Sequence, residues 1–154
     1  LTRDAKVPFI VNDRLDIALA VDADGVHVGQ ADLPASVVRE IMGPGKILGV
    51  SVDTVEEAIL AEKAGADYLG VGPVFEARET KPDAGKPLGV DRIAWIRRQC
   101  RLPIVAIGGI NAGNAREVRE AGADAAAVVS AIVAADDIAH AARQLKRILD
   151  GTCR

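Results

Sequence analysis

The chain has 154 residues, of which 49% are hydrophobic but only 3% aromatic, and its formal net charge is −3. That length is one domain's worth of sequence, long enough to bury a substantial core. Acidic and basic residues are interspersed, which argues against a nucleic-acid-binding surface, and no apolar run approaches the length of a membrane span. We therefore expect small-molecule partners, with no nucleic acid and no membrane.

The two cysteines, Cys100 and Cys153, lack metal-ligand spacing and have no signal peptide ahead of them. This usage predicts a cytoplasmic protein with two unpaired thiols. The first residue is Leu1 rather than Met, and residues 1–6 have the character of a helix end. We therefore expect a missing amino-terminal segment and treat 1–154 as a single partial domain. Nothing in the sequence decides whether the chain forms a homo-oligomer.

Six strand-then-helix units follow one another along the chain. The predicted strands span 7–11, 25–29, 47–50, 66–72, 104–107 and 125–129. The four apolar residues from Ile104 to Ile107 fit a strand that is buried on both faces of a parallel sheet. In the second helix, we expect Val37, Val38 and Ile41 to face the core.

Helix-start signals accompany three of these units. Asp32 is the expected N-cap of the second helix, and Asn111 is the expected N-cap of the fifth. The run from Thr54 to Glu57 has the sequence of a capping box ahead of the third helix. Between the fourth strand and its helix, residues 73–88 form one long polar segment rich in Pro and Gly. A segment of that size in a compact domain is usually functional.

An internal repeat narrows the fold class. Ala64-Gly-Ala-Asp67 precedes the fourth strand and recurs as Ala121-Gly-Ala-Asp124 before the sixth, with Ala23-Asp24-Gly25 as a weaker echo. Repeated modules with Gly-ended strands favour a (β/α) barrel over a doubly wound sheet, whose Gly-x-Gly-x-x-Gly motif is absent. The predicted fold is therefore α/β, a TIM (β/α)₈ barrel with about six of its eight βα units in this chain.

In such a barrel every strand ends at the same mouth, so residues far apart in sequence converge there. Asp13 and Asp32 follow neighbouring strands and could hold Mg²⁺ together with phosphate oxygens and waters. Each is also suited to being a helix N-cap. The Gly108-Gly109 turn leaves backbone N–H groups uncovered for a phosphate, or is a turn with no ligand.

Two further side chains have competing interpretations. Lys81, in the long loop, is placed to pair with a diphosphate, although most loop lysines only solvate a surface. His27 alternates with Val26 and Val28, which is typical of a core or lumen histidine rather than a catalytic one. The predicted mouth lacks a histidine placed to activate a nucleophile. These patterns alone predict phosphorylated ligands and Mg²⁺.

Short motifs along the chain, in their order and spacing, resemble the thiamine phosphate synthase family. They are Pro8-Phe-Ile-Val-Asn-Asp13, Asp24-Gly-Val-His-Val-Gly-Gln30 with Asp32, Leu48-Gly-Val-Ser51, Gly65-Ala-Asp-Tyr-Leu-Gly-Val-Gly-Pro-Val-Phe75, Glu79-Thr-Lys81, Leu88-Gly89, Ile107-Gly-Gly-Ile110 and Val129-Ser-Ala-Ile132. The resemblance implies a (β/α)₈ barrel transferase of thiamine biosynthesis. It would join a hydroxymethylpyrimidine diphosphate to a thiazole phosphate, giving thiamine phosphate and diphosphate.

The resemblance also implies roles for individual residues. Asn12 would contact the pyrimidine diphosphate, and Asp13 and Asp32 would hold Mg²⁺. Ser51 and Lys81 would bind the diphosphate and carry the catalysis. The residues implied to hold the thiazole phosphate are Arg78, Glu79, Thr80, Gly109, Val129 and Ser130.

Two departures from the family pattern leave alternatives open. Arg78 replaces a hydroxyl residue that the family has in this loop, and the family's first two βα units would precede Leu1. A thiazole tautomerase of the same lineage, which needs no metal, is a second enzymatic interpretation. A non-catalytic phosphate-binding barrel fragment is a third. The joint presence of Asp13, Asp32 and Lys81 favours the synthase.

Overall fold

A computed structural model describes residues 1–77 and 85–152 of the chain. Its strands are β1 Ile10–Asn12, β2 Gly25–Val28, β3 Ile47–Val52, β4 Tyr68–Val71, β5 Ile104–Ile107 and β6 Ala125–Ala127. Its helices are α1 Leu15–Ala20, α2 Ala35–Met42, α3 Val55–Lys63, α4 Val90–Gln99, α5 Ala115–Glu120, α6 Ser130–Val133 and α7 Ile138–Leu149. The alternation of strand and helix confirms the predicted α/β class.

All six strands form one parallel sheet in sequence order. Each strand pairs with the next one along the chain, which is the strand order of a (β/α) barrel rather than of a doubly wound sheet. Within residues 1–77 and 85–152, β1 and β6 stand at the two ends of the order. The structure thus contains a half-barrel of six parallel strands. None of its helices, over the same residues, is both long and apolar enough to cross a bilayer.

The hydrophobic core lies between one face of this sheet and the helices. Alternate strand residues point into it, and Leu48, Leu69 and Ile104 are fully buried there. From the helices, Val38 and Ile93 meet them in the same cluster. Burying a Leu or Ile side chain stabilises the fold by about 1.5–3 kcal/mol, so this single layer carries most of the sheet-to-helix packing.

The opposite face of the sheet is more open, and the prediction that residues 104–107 are buried on both faces is wrong for the last of them. Ile107 at the end of β5 is 45% exposed, and Phe9 ahead of β1 is 43% exposed. The physical reason is that six strands leave the inner face of the sheet only partly enclosed.

The prediction for the core-facing side of α2 is confirmed for one residue and wrong for two. Val38 is fully buried, whereas Val37 and Ile41 are exposed. Ala35 and Met42 at the two ends of α2 pack against the core beside Val38.

The cysteine next to this core is a free thiol, as predicted. Cys100 follows α4 directly, is buried and forms no disulfide within the described part of the chain. Cys153 lies outside the described residues, so its unpaired state stays a prediction.

The predicted capping box of α3 is confirmed. The Thr54 hydroxyl accepts a hydrogen bond from the Glu57 N–H at 3.1 Å, and the Glu57 carboxylate accepts one from the Thr54 N–H at 3.3 Å. The predicted N-cap of α5 is wrong. Asn114, not Asn111, occupies that position, and the Asn111 side chain instead accepts from the Gly113 N–H in the turn before the helix.

The repeated Ala-Gly-Ala-Asp module has the same structure in both copies. Asp67 accepts a hydrogen bond from the Leu48 N–H at the start of β3, and Asp124 accepts one from the Ile104 N–H at the start of β5. Both distances are 2.8 Å. Each aspartate therefore joins its own strand to the preceding one at the amino-terminal edge of the sheet, away from the predicted mouth.

An arginine from an earlier helix supports each copy. Arg39 of α2 donates to the carbonyls of Gly43, Lys46 and Gly65 and to the Asp67 carboxylate, at 2.6–3.0 Å. In the second copy, Arg97 of α4 pairs with Asp124 and donates to the Gly122 carbonyl at 3.1 Å. We call each set of contacts an arginine clamp.

Candidate active site at the carboxyl ends of the strands

The described candidate residues all lie at the carboxyl-terminal edge of the sheet. Asn12 is the last residue of β1 and is exposed. The other candidates follow or end strands β1, β2, β3, β5 and β6; they are Asp13, Asp32, Ser51, Gly109, Val129 and Ser130. Arg78, Glu79, Thr80 and Lys81 lie outside the described residues. Parallel strands thus bring residues far apart in sequence to one edge, as predicted.

Asp13 follows β1 directly and has a φ of 64°, a left-handed conformation that Asp adopts more readily than most residues. Its backbone N–H donates to the His27 carbonyl at 2.7 Å, which continues the pairing with β2. Helix α1 begins after Arg14 with no side-chain cap. The alternative of Asp13 as a helix cap is therefore wrong, and its carboxylate has no hydrogen-bonding or ion-pair partner among residues 1–77 and 85–152.

Asp32 also does not cap a helix, so that prediction is wrong as well. Helix α2 has Pro34 at the N-cap position and no side-chain cap. The Asp32 carboxylate turns back instead and accepts a hydrogen bond from the Gly29 N–H at 2.7 Å. This bond holds the carboxylate over the end of β2.

The two carboxylates line one open cavity of about 650 Å³. Its remaining walls are mostly apolar residues of α1, α2 and the segment before α2, and they include Leu15, Leu19 and Ile41. Both carboxylates also act on a neighbouring imidazole. Burial lowers the pKa of His27, and the negative charges of Asp13 and Asp32 act in the opposite direction.

This donor set suits Mg²⁺. Two carboxylates completed by phosphate oxygens and waters are a usual way for proteins to bind this ion. No group of three or more His, Cys, Asp or Glu side chains in the described residues is arranged as an all-protein metal cage. A third carboxylate of the cavity, Asp16, is already engaged, because its hydrogen bond with Arg14 lowers the pKa of Asp16 to about 2.

The structure places a histidine beside the candidate serine, which the sequence analysis missed. His27 Nε2 lies 2.8 Å from Ser51 Oγ, and His27 Nδ1 lies 3.0 Å from the Tyr68 hydroxyl. The expectation that the mouth lacks a histidine placed to activate a nucleophile stays a prediction, because this contact does not show that His27 removes the Ser51 proton. The prediction of a lumen histidine with satisfied hydrogen bonds is confirmed. Strand alternation indicated that His27 points to the other face from Val26 and Val28, but only the strand register brings it beside Ser51.

The Gly108-Gly109 turn packs closely against the start of the long loop. Gly109 has a φ of 64°, and a side chain there would place Cβ 2.5 Å from the Glu76 carbonyl oxygen. The Gly109 carbonyl in turn accepts a hydrogen bond from the Asn114 amide at 3.0 Å. The turn is therefore held by both the β4 loop and the start of α5.

We expect Gly109→Ala to lower the free energy of unfolding by about 1–2 kcal/mol, because alanine is strained at this φ and its Cβ meets backbone. Urea denaturation measures the change. Gly45→Ala is the matched control, since Gly45 lacks a positive φ and a Cβ there would have no neighbour within 4 Å. Equal stability of the two variants would contradict the tight packing of the turn.

The last pair of candidate residues begins a helix that the sequence analysis did not predict. Val129 is the N-cap residue of α6, and Ser130 is its first residue. Both side chains are exposed at the edge of the sheet. Helix α6 has only four residues and is mostly apolar, so its pattern could not be distinguished from the end of the sixth strand.

Comparison with known proteins decides the family. The family model described as thiamine monophosphate synthase matches residues 1–132. The chain belongs to this family. The thiamine-phosphate synthase of Chloroflexus aurantiacus is 59% identical over 152 residues, which are 99% of this chain and 69% of that relative. The synthase of Moorella thermoacetica is 58% identical over 97% of this chain and 70% of its own length.

A solved structure agrees with the sequence relatives. Thiamine phosphate pyrophosphorylase from Pyrococcus furiosus superposes with a TM-score of 0.87 at 46% identity, covering 99% of this chain and 72% of that one. The resemblance to the family that the motifs indicated is thereby confirmed over nearly the whole chain.

Proposed function

We propose that this chain catalyses the family's transfer reaction, the joining of hydroxymethylpyrimidine diphosphate to thiazole phosphate with release of diphosphate. The observation that carries the proposal is the match to thiamine-phosphate synthases over 97–99% of the chain at 58–59% identity. The alternatives of a thiazole tautomerase and a non-catalytic module are less favoured. Asp13 and Asp32 are two carboxylates without a helix-capping role, and a tautomerase that needs no metal gives them no task.

The main chemical requirement of the reaction is to stabilise the leaving group. As the bond between the pyrimidine methylene and its oxygen breaks, negative charge develops on the diphosphate. Mg²⁺ bound by Asp13 and Asp32 would neutralise part of that charge. We assign the remaining stabilisation to the Ser51 hydroxyl and to Lys81 of the long loop.

The thiazole phosphate needs to be oriented by the protein, but its nucleophile does not need to be activated. The thiazole nitrogen is itself the nucleophile, so the chain has only to hold it in line with the methylene carbon. We assign the thiazole phosphate to Gly109, Val129 and Ser130, together with Arg78, Glu79 and Thr80. Asn12, at the end of β1, is assigned to the pyrimidine diphosphate.

We further propose that the six-stranded sheet is part of an eight-stranded barrel. The chain spans 69% of the Chloroflexus aurantiacus relative, and β1 and β6 are the end strands of the described sheet. Two additional strands would pair with those two edges and enclose the open face of the sheet. The cytoplasmic location and the association of copies stay predictions.

Adding the amino-terminal length of a relative tests this proposal. The extended chain consists of the 154 residues preceded by the part of the Chloroflexus aurantiacus synthase that comes before the aligned region. We expect it to melt cooperatively and to form thiamine phosphate and diphosphate in equal amounts when both substrates and Mg²⁺ are supplied. The 154 residues alone should show little turnover and a tendency to self-associate, because two sheet edges stay open. Full turnover of the unextended chain as a monomer would contradict the eight-stranded assignment.

A further inference from the structure

Three polar side chains form a continuous hydrogen-bonded line across the open face of the sheet. The line runs from the Tyr68 hydroxyl at the start of β4, through the His27 ring on β2, to the Ser51 hydroxyl near the end of β3. Its two distances are 3.0 and 2.8 Å. It therefore connects the amino-terminal side of the sheet to the candidate active site. We call these three residues the relay.

Glycine at two strand positions makes space for the side chains of the relay. In the sheet register Gly49 pairs with both His27 and Tyr68, and Gly70 pairs with Ser51. A Cβ on Gly49 would lie 2.2 Å from the Tyr68 ring and 2.4 Å from His27 Nδ1. A Cβ on Gly70 would lie 2.8 Å from the His27 ring. The strands thus have no side chain at the two positions where one would displace the relay.

The chemistry of the three groups determines the direction in which hydrogen bonds are donated along the relay. Both nitrogens of the His27 ring have a hydrogen-bonding partner, and at pH 8, above the ordinary pKa of an imidazole, a neutral ring has one donor and one acceptor nitrogen. Burial raises the pKa of Tyr68, so its hydroxyl keeps the proton. A phenol is a stronger donor than an aliphatic hydroxyl, which favours donation from Tyr68 to Nδ1. The ring proton is then on Nε2 and is donated to Ser51 Oγ.

We propose that Tyr68 is a positioning residue that sets the tautomer of His27 and so turns the Ser51 proton toward the mouth. With Oγ occupied as an acceptor by Nε2–H, the Ser51 hydroxyl donates outward to an anion. In the opposite tautomer Nε2 would accept a hydrogen bond from the Ser51 hydroxyl. Oγ would then face the diphosphate with a lone pair instead of a proton. Gln30 supports the arrangement, since its side-chain amide donates to the Ser51 carbonyl at 2.7 Å. The identity of the anion rests on the proposed function; the tautomer does not.

Nitrogen NMR of the histidine rings tests the tautomer directly. The chain has two histidines, and His140 on α7 is exposed, so it reports the tautomer mixture of a free ring in the same spectrum. We expect His27 to be entirely Nε2-protonated at pH 8 in the 154-residue chain. Tyr68→Phe should change it to a mixture, because Nδ1 then has no partner and the Ser51 hydroxyl can either accept from Nε2–H or donate to Nε2. An Nδ1-protonated His27, or an unchanged ring in Tyr68→Phe, would overturn the proposal.

Calorimetric titration of the extended chain with inorganic diphosphate and Mg²⁺ tests the consequence. We expect Tyr68→Phe to weaken diphosphate binding about fivefold, the effect of one misdirected hydrogen bond. In a Ser51→Ala background the same change should have no further effect, because the relay acts only through Ser51. An equal weakening in both backgrounds would mean that Tyr68 is merely structural, and would overturn the proposal. If the unaltered extended chain binds no diphosphate, the proposed function fails while the tautomer measurement still decides the relay.

Discussion

Asp13→Asn and Asp32→Asn should each reduce the magnesium-dependent turnover of the extended chain by a factor on the order of 10²–10³. The amide oxygen of asparagine is a neutral ligand and holds Mg²⁺ far less tightly than a carboxylate. The fold should survive both changes. Asn tolerates the positive φ of Asp13, and its amide oxygen can still accept the Gly29 N–H at position 32.

The measurement is turnover as a function of Mg²⁺ concentration, with circular dichroism melting as the check on folding. Asp16→Asn is the matched control, because Asp16 lines the same cavity but is paired with Arg14. Its turnover should stay within about twofold of the unaltered extended chain, the range of an exposed surface substitution. Unchanged magnesium dependence in Asp13→Asn or Asp32→Asn would show that the metal assignment is wrong.

Arg39→Met should lower the free energy of unfolding by about 2 kcal/mol, the largest stability effect that we expect from a single polar side chain. The change removes donors to three backbone carbonyls and to Asp67, and methionine keeps much of the aliphatic packing. The Arg39 side chain is only 19% exposed, but Asp67 is 51% exposed, so solvent screening reduces the ionic part of the loss.

Urea denaturation of the extended chain measures this loss. Arg97→Met should cost less, because Arg97 reaches fewer carbonyls and is more exposed than Arg39. Arg98→Met, at the next and exposed position of α4, should stay within about 0.5 kcal/mol of the unaltered protein. A loss at Arg98 as large as that at Arg39 would indicate a general effect of removed charge rather than of the arginine clamp.

The local signals in the sequence predicted local structure well where the partners are close along the chain. The Thr54–Glu57 capping box formed as predicted, because both of its hydrogen bonds join residues three positions apart. Strand β5 has the predicted bounds, and Gly65 and Gly122 both end helices with positive φ. Two of the predicted caps failed because each side chain accepts from a backbone N–H outside the helix. Asp32 bonds to Gly29 instead of to α2, and the Asn111 side chain bonds within its own turn.

By itself the sequence determined the family, the parallel order of strands and the edge of the sheet at which the candidate residues converge. Motif order and strand-helix alternation specify those features without any knowledge of register. Only the tertiary structure decided that His27 lies between Tyr68 and Ser51. It also decided that Arg39 of α2 reaches Asp67 in the first copy of the repeat. These contacts join residues 24 to 41 positions apart. They depend on which strand residues stand side by side and on how far the sheet closes, and both are set by packing between distant segments rather than by local propensity.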